Sequence, residues 1–240
     1  MDALRGPLAS SFARQILTTC APFLSKPVNE LAVLDIGSGY GHTALALARQ
    51  CKSVVGIEPN LPLWRSACAL QQDAGQENLE FRHTGIYELD GSEQFDLIVL
   101  DNVLEHLPDQ PLALRIISDC LAPAGAAYIL VPNRLWPLEV HYGLPFLSYL
   151  PLSWANRYLR LSGRGTDYTD ASYMPTYWRL NDLLMARREL SFQYVLPADI
   201  RLAAGGSAWH YRLGVRAIRR WPWLWAISKA LLVVVRKRVH

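Results

Sequence analysis

The sequence contains little charge and few cysteines. Only 19 % of its 240 residues are charged and the net charge is +3, whereas 51 % are hydrophobic; this balance excludes an intrinsically disordered chain. The four cysteines, Cys20, Cys51, Cys68 and Cys120, form no C-x-x-C pair, so the spacing typical of a zinc knuckle or a thioredoxin-type site is missing. Four widely spaced thiols predict a reducing compartment.

Long uncharged hydrophobic runs are missing as well. Arg14 interrupts the apolar N-terminal segment, which argues against a signal peptide. The longest apolar stretch, 221–235, spans 15 residues and contains Lys229, which makes it too short for a routine membrane-spanning helix. We therefore expect a cytoplasmic protein, with any membrane contact being peripheral, at the inner face of the cytoplasmic membrane.

Charge and tryptophan are distributed unevenly along the chain. Residues 1–150 carry 9 basic and 16 acidic side chains, whereas residues 151–240 carry 15 and 5, and seven of the eight tryptophans follow residue 133. The basic, aromatic region 212–240 predicts peripheral contact with an anionic membrane. The alternative is a helix whose aromatic face packs on the rest of the protein while its arginines are solvated. No nucleic-acid partner is expected, because no motif that reads bases accompanies the basic residues.

Short apolar segments alternate with helical patterns over the first 132 residues. Strands are predicted at 31–36, 53–57, 79–83, 95–100 and 126–131, and helices at 7–24, 43–50, 63–74 and 111–121. This alternation predicts an α/β fold with a parallel sheet covered by helices on both faces. In such sheets ligands bind at the carboxyl ends of the strands.

The alternation stops after the fifth strand. Residues 133–176 are rich in proline and aromatic side chains and are too long for a plain loop, so we interpret them as an inserted aromatic cap. A helix at 177–189 and strands at 191–196 and 232–237 follow. We expect a single domain, 1–240, in which residues 1–132 form the core and residues 177–240 complete the sheet.

A glycine-rich turn carries the sharpest chemical signal. The first strand runs into Gly37-Ser-Gly-Tyr-Gly41, and Glu58 ends the second strand. A glycine turn lets the backbone approach a ligand, and an acid at the end of the second strand can accept both hydroxyls of a ribose. A dinucleotide fingerprint, G-x-G-x-x-G, would require glycine where His42 stands. The pattern predicts an adenosine-containing cofactor that is not a dinucleotide.

This G-x-G-x-G spacing, with Asp35 two residues ahead, resembles motif I of the class I S-adenosylmethionine-dependent methyltransferases. The segment 95–109, FDLIVLDNVLEHLPD, is similar to the fourth-strand motif of the small-molecule branch that includes ubiquinone-biosynthesis enzymes, and 121–125, LAPAG, is similar to the turn before that family's fifth strand. The resemblance covers about residues 30–132. It implies a Rossmann-like, mostly parallel seven-stranded sheet with 191–196 and 232–237 as an antiparallel hairpin, and it makes 221–229 part of an inserted helix.

The resemblance implies S-adenosylmethionine as cofactor and S-adenosylhomocysteine as product. Asp35 is expected near the ammonium group of the cofactor, Glu58 at its ribose, and Asp101 with Asn102 at the methyl-donor end. The full set of implied cofactor contacts is Asp35, Gly37, Ser38, Gly39, Glu58, Pro59, Gly85, Ile86, Asp101 and Asn102. The family's acid after the third strand is missing or displaced to Glu88, so the backbone at Gly85 and Ile86 is expected to contact the adenine.

Two histidines are candidates for a catalytic base. His106 follows Glu105 after the fourth strand, and imidazole titrates near neutral pH. Its alternative role is structural, capping a helix or shaping the pocket wall. No metal is expected; the alternative is a site formed by Asp101, Glu105 and His106 for a catechol-like substrate.

The second candidate base, His141, lies in the cap. Glu139, His141 and Tyr142 are polar groups in an apolar segment, and such groups need partners or face a cavity. Glu139, Tyr142 and Asn133 are the predicted acceptor contacts. The alternative is that His141 only hydrogen-bonds the cap to the body.

The missing motifs narrow the methyl acceptor. The fourth strand is followed by DNVLEH, not by the Asn/Asp-Pro-Pro-aromatic motif of the enzymes that methylate amino groups of nucleic-acid bases. The Pro-Cys nucleophile of the enzymes that methylate cytosine carbon is also missing. We expect O-methylation of a glycan, a glycolipid (a lipid-linked glycan included) or another amphipathic small molecule; segment 133–151 resembles methyltransferases of bacterial cell-surface polysaccharide gene sets. The alternatives are a peripheral-membrane enzyme acting on a quinone or polyprenyl substrate, and a non-catalytic cofactor-binding scaffold.

Overall fold

The computed structural model describes residues 2–201 and 208–238, with side chains from residue 8 onward. Its helices are α1 (Asp2–Cys20), α2 (His42–Ala48), α3 (Leu61–Ala74), α4 (Gln110–Cys120), α5 (Leu152–Leu161), α6 (Tyr177–Met185) and α7 (Trp209–Arg220). Its strands are β1 (Ala32–Ile36), β2 (Ser53–Ile57), β3 (Leu79–Arg82), β4 (Phe95–Asp101), β5 (Leu121–Pro132), β6 (Leu190–Tyr194) and β7 (Ala230–Lys237).

The seven strands form one twisted sheet in the order β3-β2-β1-β4-β5-β7-β6. The first five are parallel, and β7 runs antiparallel to both β5 and β6. The predicted α/β class, the parallel sheet and the closing antiparallel hairpin are confirmed. The order reverses between β1 and β4, and in such open sheets this reversal opens a crevice at the carboxyl ends of the strands.

The sheet is buried on both faces. Alternate residues of β1 and β4 point to opposite sides: Leu34 and Ile98 pack in the layer that contains α4 and α6, whereas Val33 and Leu97 pack in the layer of α1 and α2. Near-continuous apolar strands are the expected signature of a parallel sheet covered on both faces. This rigid frame holds the loops after β1, β2, β3 and β4 side by side.

The segment Trp221–Lys229, predicted to be part of an inserted helix, is helical only in part. The α-helix of this region, α7, ends at Arg220, and Pro222–Ile227 forms a separate 3-10 helix. Pro222 has no N–H and restricts the residue before it. Trp221 accordingly leaves the helical conformation, with φ −134° and ψ 86°. The first helix also differs, because it spans Asp2–Cys20 and not 7–24.

The basic residues of region 212–240 lie at the two opposite ends of the strands. In the antiparallel register Ala230 pairs with Pro132 at the carboxyl end of β5, whereas Arg236 pairs with Ala126 near its start. Six residues of strand separate these pairs by about 20 Å. Region 212–240 is therefore divided: α7 and the turn after it lie at the carboxyl ends of the parallel strands, and the Arg236–Arg238 segment lies at the other end. Peripheral membrane contact through this region stays a prediction.

Residues 133–176 fold into a small lobe with a hydrophobic cluster of its own. The lobe contains α5, an isolated bridge between Leu138 and Pro145, and a 3-10 turn at Leu147–Tyr149. The cluster includes Leu144, Leu147, Ala155, Leu159, Tyr168, Ala171 and Met174. The Arg134 N–H donates to the Pro175 carbonyl at 3.1 Å, so the lobe begins and ends at the same place beside β5.

No helix within 2–201 or 208–238 is both long enough and apolar enough to cross a membrane.

Candidate functional site

The glycine turn after β1 depends on glycine at three positions. Gly37, Gly39 and Gly41 have φ of +70°, +56° and +80°, a region that L-residues with a side chain rarely occupy. The N–H groups of Gly37 and Ser38 both donate to the Ile57 carbonyl, at 2.9 and 3.0 Å. The turn is therefore tied to the end of β2, beside the predicted ribose-binding acid.

Glu58 is fixed by the backbone of two loops. The residue is 6 % exposed, and its carboxylate accepts hydrogen bonds from the Gly39 N–H and the Asn60 N–H, each at 2.9 Å. A carboxylate has about four lone-pair positions, so two bonds leave it able to accept a pair of ribose hydroxyls. The geometry fits the role that the sequence predicts for Glu58.

Asp35 lies buried beneath the turn, with 5 % exposure. Burial, together with the nearby charges of Asp101 and Glu58, raises the pKa of Asp35 to about 8. A cation placed beside this carboxyl would stabilise its charged form. The buried Ser38 hydroxyl also has no hydrogen-bond partner in the part of the chain that the structure describes, which suits a polar ligand in the same crevice. These features fit the amino-acid portion of S-adenosylmethionine.

In the loop after β3, the carboxylate of Glu88, the candidate for the displaced adenine-binding acid, is used within the loop itself. Glu88 accepts a hydrogen bond from the Gly85 N–H at 2.9 Å and so closes the 3-10 turn Ile86–Glu88. His83, which the sequence analysis did not single out, lies with Nε2 3.0 Å from the Pro59 carbonyl. The Glu88 carboxylate therefore stabilises its own turn. Adenine contacts at Pro59, Gly85 and Ile86 stay a prediction.

The loop after β4 contains a strained residue at the predicted methyl-donor end. Asn102 has φ +57°, its N–H donates to the Leu130 carbonyl at 2.9 Å, and its side-chain amide donates to the Asp101 carboxylate at 2.8 Å. Such strain is typical of functional loops. One residue later, Val103 packs against Gly37, so the turn after β1 and the loop after β4 form one wall.

The two candidate histidines meet around a buried acid. Glu105 is fully buried in the 3-10 turn Leu104–His106, and within the described residues neither of its carboxylate oxygens has a hydrogen-bond partner. His106 Nε2 lies 3.9 Å and His141 Nε2 3.7 Å from Glu105 Oε1. The histidine rings contact edge to face, with centroids 5.4 Å apart. The fold thus joins the lobe to the loop after β4.

His141 lies between two carboxylates. Its Nδ1 is 2.8 Å from Glu139 Oε1, and Glu139 Oε2 accepts the N–H groups of His141 and Tyr142 at 2.9 and 2.7 Å. Burial lowers the pKa of His141, but Glu105 and Glu139 outweigh burial and raise it to about 9. Burial raises the pKa of Glu139, but the hydrogen bonds from His141 and Tyr142 lower it overall. At neutral pH the pair is therefore an imidazolium and a carboxylate.

His106 is held from the lobe by a residue that the sequence analysis missed. Its Nδ1 lies 3.1 Å from both the Asp170 carbonyl and the Asp170 carboxylate. Asp170 is 64 residues away in an irregular stretch, so no spacing in the sequence signals this contact. Glu105 was considered beside His106 in a structural role and as a partner in the metal alternative. In the structure it is the group around which both histidines lie.

Asn133 and Tyr142, predicted acceptor contacts, bond within the protein. The Asn133 amide donates to the carbonyls of Trp225 and Ala226 at 3.2 and 3.0 Å, and its oxygen accepts the Leu135 N–H at 3.1 Å. The Tyr142 hydroxyl donates to the Asp167 carbonyl at 3.1 Å. Asn133 therefore links β5 to the turn before β7, and acceptor binding by Asn133, Glu139 and Tyr142 stays a prediction.

The candidate metal ligands in the structure differ from those considered from the sequence. Among the described residues, Glu105, His106 and His141 each offer one ligand atom within 4.8 Å of the others, so His141 takes the place that the sequence analysis considered for Asp101. The expectation that no metal is needed stays a prediction.

Comparison with known proteins shows the family to which this chain belongs. A family model described as a methyltransferase domain matches residues 9–183. The ubiquinone biosynthesis O-methyltransferase of Rhodopseudomonas palustris (strain BisB5) is 30 % identical over 135 residues, covering 54 % of this chain and 52 % of that protein. The enzyme of the same name from Ruegeria pomeroyi is 33 % identical over 138 residues, covering 56 % and 52 %. The chain spans about half the length of these curated relatives.

Solved structures show the same fold. The YcgJ protein from Bacillus subtilis superposes with a TM-score of 0.61 at 18 % identity, covering 95 % of this chain and 99 % of that one. The plantazolicin methyltransferase BpumL, in complex with S-adenosylhomocysteine, superposes with a TM-score of 0.62 at 16 % identity, covering 97 % and 85 %. Because the family model matches most of the chain, this protein belongs to the methyltransferase-domain family, with the fold of the class I S-adenosylmethionine-dependent methyltransferases.

Proposed function

We propose that this protein transfers the methyl group of S-adenosylmethionine to a hydroxyl oxygen of an amphipathic small molecule. The observation that carries the proposal is the position of His141 between Glu139 and the buried Glu105. Glu105 lies four residues after Asp101, at the predicted methyl-donor end. A hydroxyl acceptor needs alignment and a base, and His141 becomes that base once its ring has lost a proton.

The crevice supports S-adenosylmethionine as the cofactor. When bound, S-adenosylmethionine supplies an electrophilic methyl group, and the reaction leaves S-adenosylhomocysteine, a methyl ether and a proton. The Glu58 carboxylate would accept the ribose hydroxyls, and Asp35 would pair with the ammonium group. Gly37 and Gly39 keep the backbone of the turn open to the ligand.

The proposed acceptor of the hydroxyl proton is Nε2 of His141. Glu139 occupies the Nδ1 side of His141, which leaves Nε2 as the reacting nitrogen. Once the ring is neutral, Nε2 accepts the hydroxyl proton, and Glu105 stabilises the resulting imidazolium at 3.7 Å. Asp170 orients His106 beside this group, where His106 shapes the pocket wall.

The relatives support an acceptor of the ubiquinone-precursor type, since their name refers to ubiquinone biosynthesis. The glycan or glycolipid acceptor has no support from these comparisons. We therefore propose a phenolic hydroxyl on a molecule with an apolar tail as the first acceptor to test.

The test is a methylation assay with the purified protein and S-adenosylmethionine. The acceptors are a short-chain polyprenyl catechol, the same catechol already methylated on both hydroxyls, and a lipid-linked sugar; products are identified by mass spectrometry. We expect one added methyl on the catechol only. His141→Gln should lower kcat by about 100-fold or more, whereas His210→Gln, on exposed α7, should not.

Each other outcome has a distinct meaning. Methylation of the sugar alone would make the protein a glycan methyltransferase. Binding of S-adenosylhomocysteine without methylation of any acceptor would favour the non-catalytic scaffold. A folded protein that does not bind S-adenosylhomocysteine would overturn the proposal.

A further inference from the structure

Five large apolar side chains are exposed in and directly after α7. Trp209, Leu213, Trp221, Trp223 and Ile227 are 70 %, 50 %, 51 %, 67 % and 50 % exposed. Isolated exposed apolar side chains are ordinary, but several within one short segment indicate an interaction surface. We call these five residues, together with the basic residues of the same segment, the α7 surface.

The inner side of this segment is already used by the fold. Val215 and Trp225 are buried, and the Trp225 ring packs on Tyr194, with centroids 5.6 Å apart. Trp209 and Leu213, one helical turn apart, lie on the opposite face of α7 from Val215. The exposed tryptophans are therefore not part of a core within the described residues.

The charge of the same segment has one sign. Residues 209–229 contain Arg212, Arg216, Arg219, Arg220 and Lys229, and no Asp or Glu follows Asp199 anywhere in the sequence. Tryptophan beside arginine is typical of helices that lie in a membrane interface, where indole enters the headgroup region and arginine meets anionic lipid. Arg220 lies over the Trp221 ring, 5.9 Å from its centroid. A cationic and an aromatic side chain are therefore adjacent on this segment.

We propose that the α7 surface docks this protein onto an anionic lipid bilayer. Charge complementarity selects this partner, because a second copy of the chain packed symmetrically on the same surface would bring five cations against five cations. The inference is independent of the proposed function, since lipid binding is measured without methyl transfer.

Docking at this surface would bring the candidate active site to the bilayer. Asn133, the first residue after β5, bonds through its amide to the carbonyls of Trp225 and Ala226, so the turn that follows α7 lies at the carboxyl edge of the sheet. The lobe that carries His141 begins at the same residue. An acceptor dissolved in the membrane would reach the site without crossing water.

The test is co-sedimentation of the full chain with vesicles of phosphatidylcholine alone and of phosphatidylcholine with phosphatidylglycerol. We expect binding to the anionic vesicles that is lost at high salt. The variant Arg216→Gln/Arg219→Gln/Arg220→Gln should weaken binding on the order of 100-fold. Trp209→Ala/Trp223→Ala should weaken it on the order of tenfold or more at unchanged salt dependence.

Matched controls lie elsewhere on the chain. Trp154 is also 70 % exposed but belongs to α5, and Arg188 is an exposed arginine before β6; Trp154→Ala and Arg188→Gln should bind as the parent does. Circular dichroism and S-adenosylhomocysteine binding show that each variant is folded. Absence of binding to anionic vesicles, equal losses in the control variants, or concentration-dependent dimerisation abolished by the tryptophan variant would each overturn the proposal.

Discussion

The Glu58 carboxylate accepts a hydrogen bond from the Gly39 N–H at 2.9 Å. This contact joins the end of β2 to the glycine turn after β1. The same turn is anchored to β2 a second time, because the Ile57 carbonyl accepts the N–H groups of Gly37 and Ser38. Glu58, the proposed ribose-binding acid, and the glycine turn proposed to border the cofactor are therefore held together by the hydrogen bonds of the protein itself.

Glu58→Gln should weaken S-adenosylhomocysteine binding on the order of 100-fold, about 2–3 kcal/mol. The amide keeps the size of the side chain but loses the charge that strengthens its hydrogen bonds to ribose hydroxyls. Calorimetric titration measures the effect. Glu77→Gln, an exposed glutamate after α3, is the control and should bind normally; an equal affinity for Glu58→Gln would contradict the assigned ribose contact.

Cofactor binding should strengthen as pH rises toward about 8, the raised pKa of Asp35. Below this pKa the free carboxyl is neutral, and pairing with an ammonium group requires it to release a proton. The slope is at most about tenfold per pH unit. Calorimetry in buffers of different ionisation enthalpy measures the released proton, and Asp35→Asn should bind weakly with no such release.

Asp35→Asn should also stabilise the ligand-free protein. An acid whose pKa is raised on folding, here from 3.8 to about 8, destabilises the fold as pH rises through that interval and does not below it. We expect the free energy of unfolding at neutral pH to rise by about 1–3 kcal/mol. Urea unfolding at neutral pH and at low pH checks the sign, since the gain should vanish in acid.

The rate of methyl transfer should rise with pH up to about 9, the raised pKa of His141. The ring must be neutral to accept a proton. Glu139→Gln removes one of the two anions that raise this pKa, so the limb of the pH–rate profile should move toward acid by about one unit. An unchanged limb in Glu139→Gln would exclude His141 as the titrating base.

His141 should also make stability depend on pH. A histidine whose pKa is raised on folding stabilises the fold fully below its unfolded value of 6.5, and this contribution is lost as pH rises through about 9. His141→Gln should therefore cost about 1–3 kcal/mol in mild acid and little above the folded pKa. Thermal unfolding at the two pH values measures the difference.

Gly37→Ala should destabilise the fold more than Gly75→Ala. Both positions have positive φ, +70° and +60°, but a Cβ on Gly37 would lie 2.7 Å from Val103 Cγ2, whereas nothing lies within 4 Å of one on Gly75. Backbone strain costs each variant about 1–2 kcal/mol, and overpacking adds about 1–3 kcal/mol at Gly37. Denaturant unfolding compares the two; equal losses would show that Val103 moves aside freely.

Methyl transfer should persist after treatment with a strong chelator. Glu105, His106 and His141 offer atoms close enough for one cation, yet the acid–base role of His141 requires a ring that is free to take a proton. The measurement is activity before and after chelation, followed by addition of magnesium or zinc. Loss of activity that the added metal restores would favour the metal alternative.

The amino-acid sequence by itself determined the core of this protein. The alternation of apolar strands and helices, the positive-φ glycines and the acid after β2 are local patterns, each of which depends on residues within a few positions of one another. For that reason the parallel sheet and the places of Asp35, Gly37 and Glu58 could be predicted from the chain. The end of α7 is also a local effect, because Pro222 separates this helix from the 3-10 helix Pro222–Ile227 that lies within the predicted segment 221–229.

Only the tertiary structure decided how distant segments meet. The contacts of Glu105 with His141 and of His106 with Asp170 join residues 36 and 64 positions apart, and no periodicity in the sequence encodes such pairs. The sequence also does not show that the antiparallel register divides the basic C-terminal region between the two ends of the strands. Local chemistry determines strands and turns, whereas packing across the sheet brings two histidines and a buried carboxylate together.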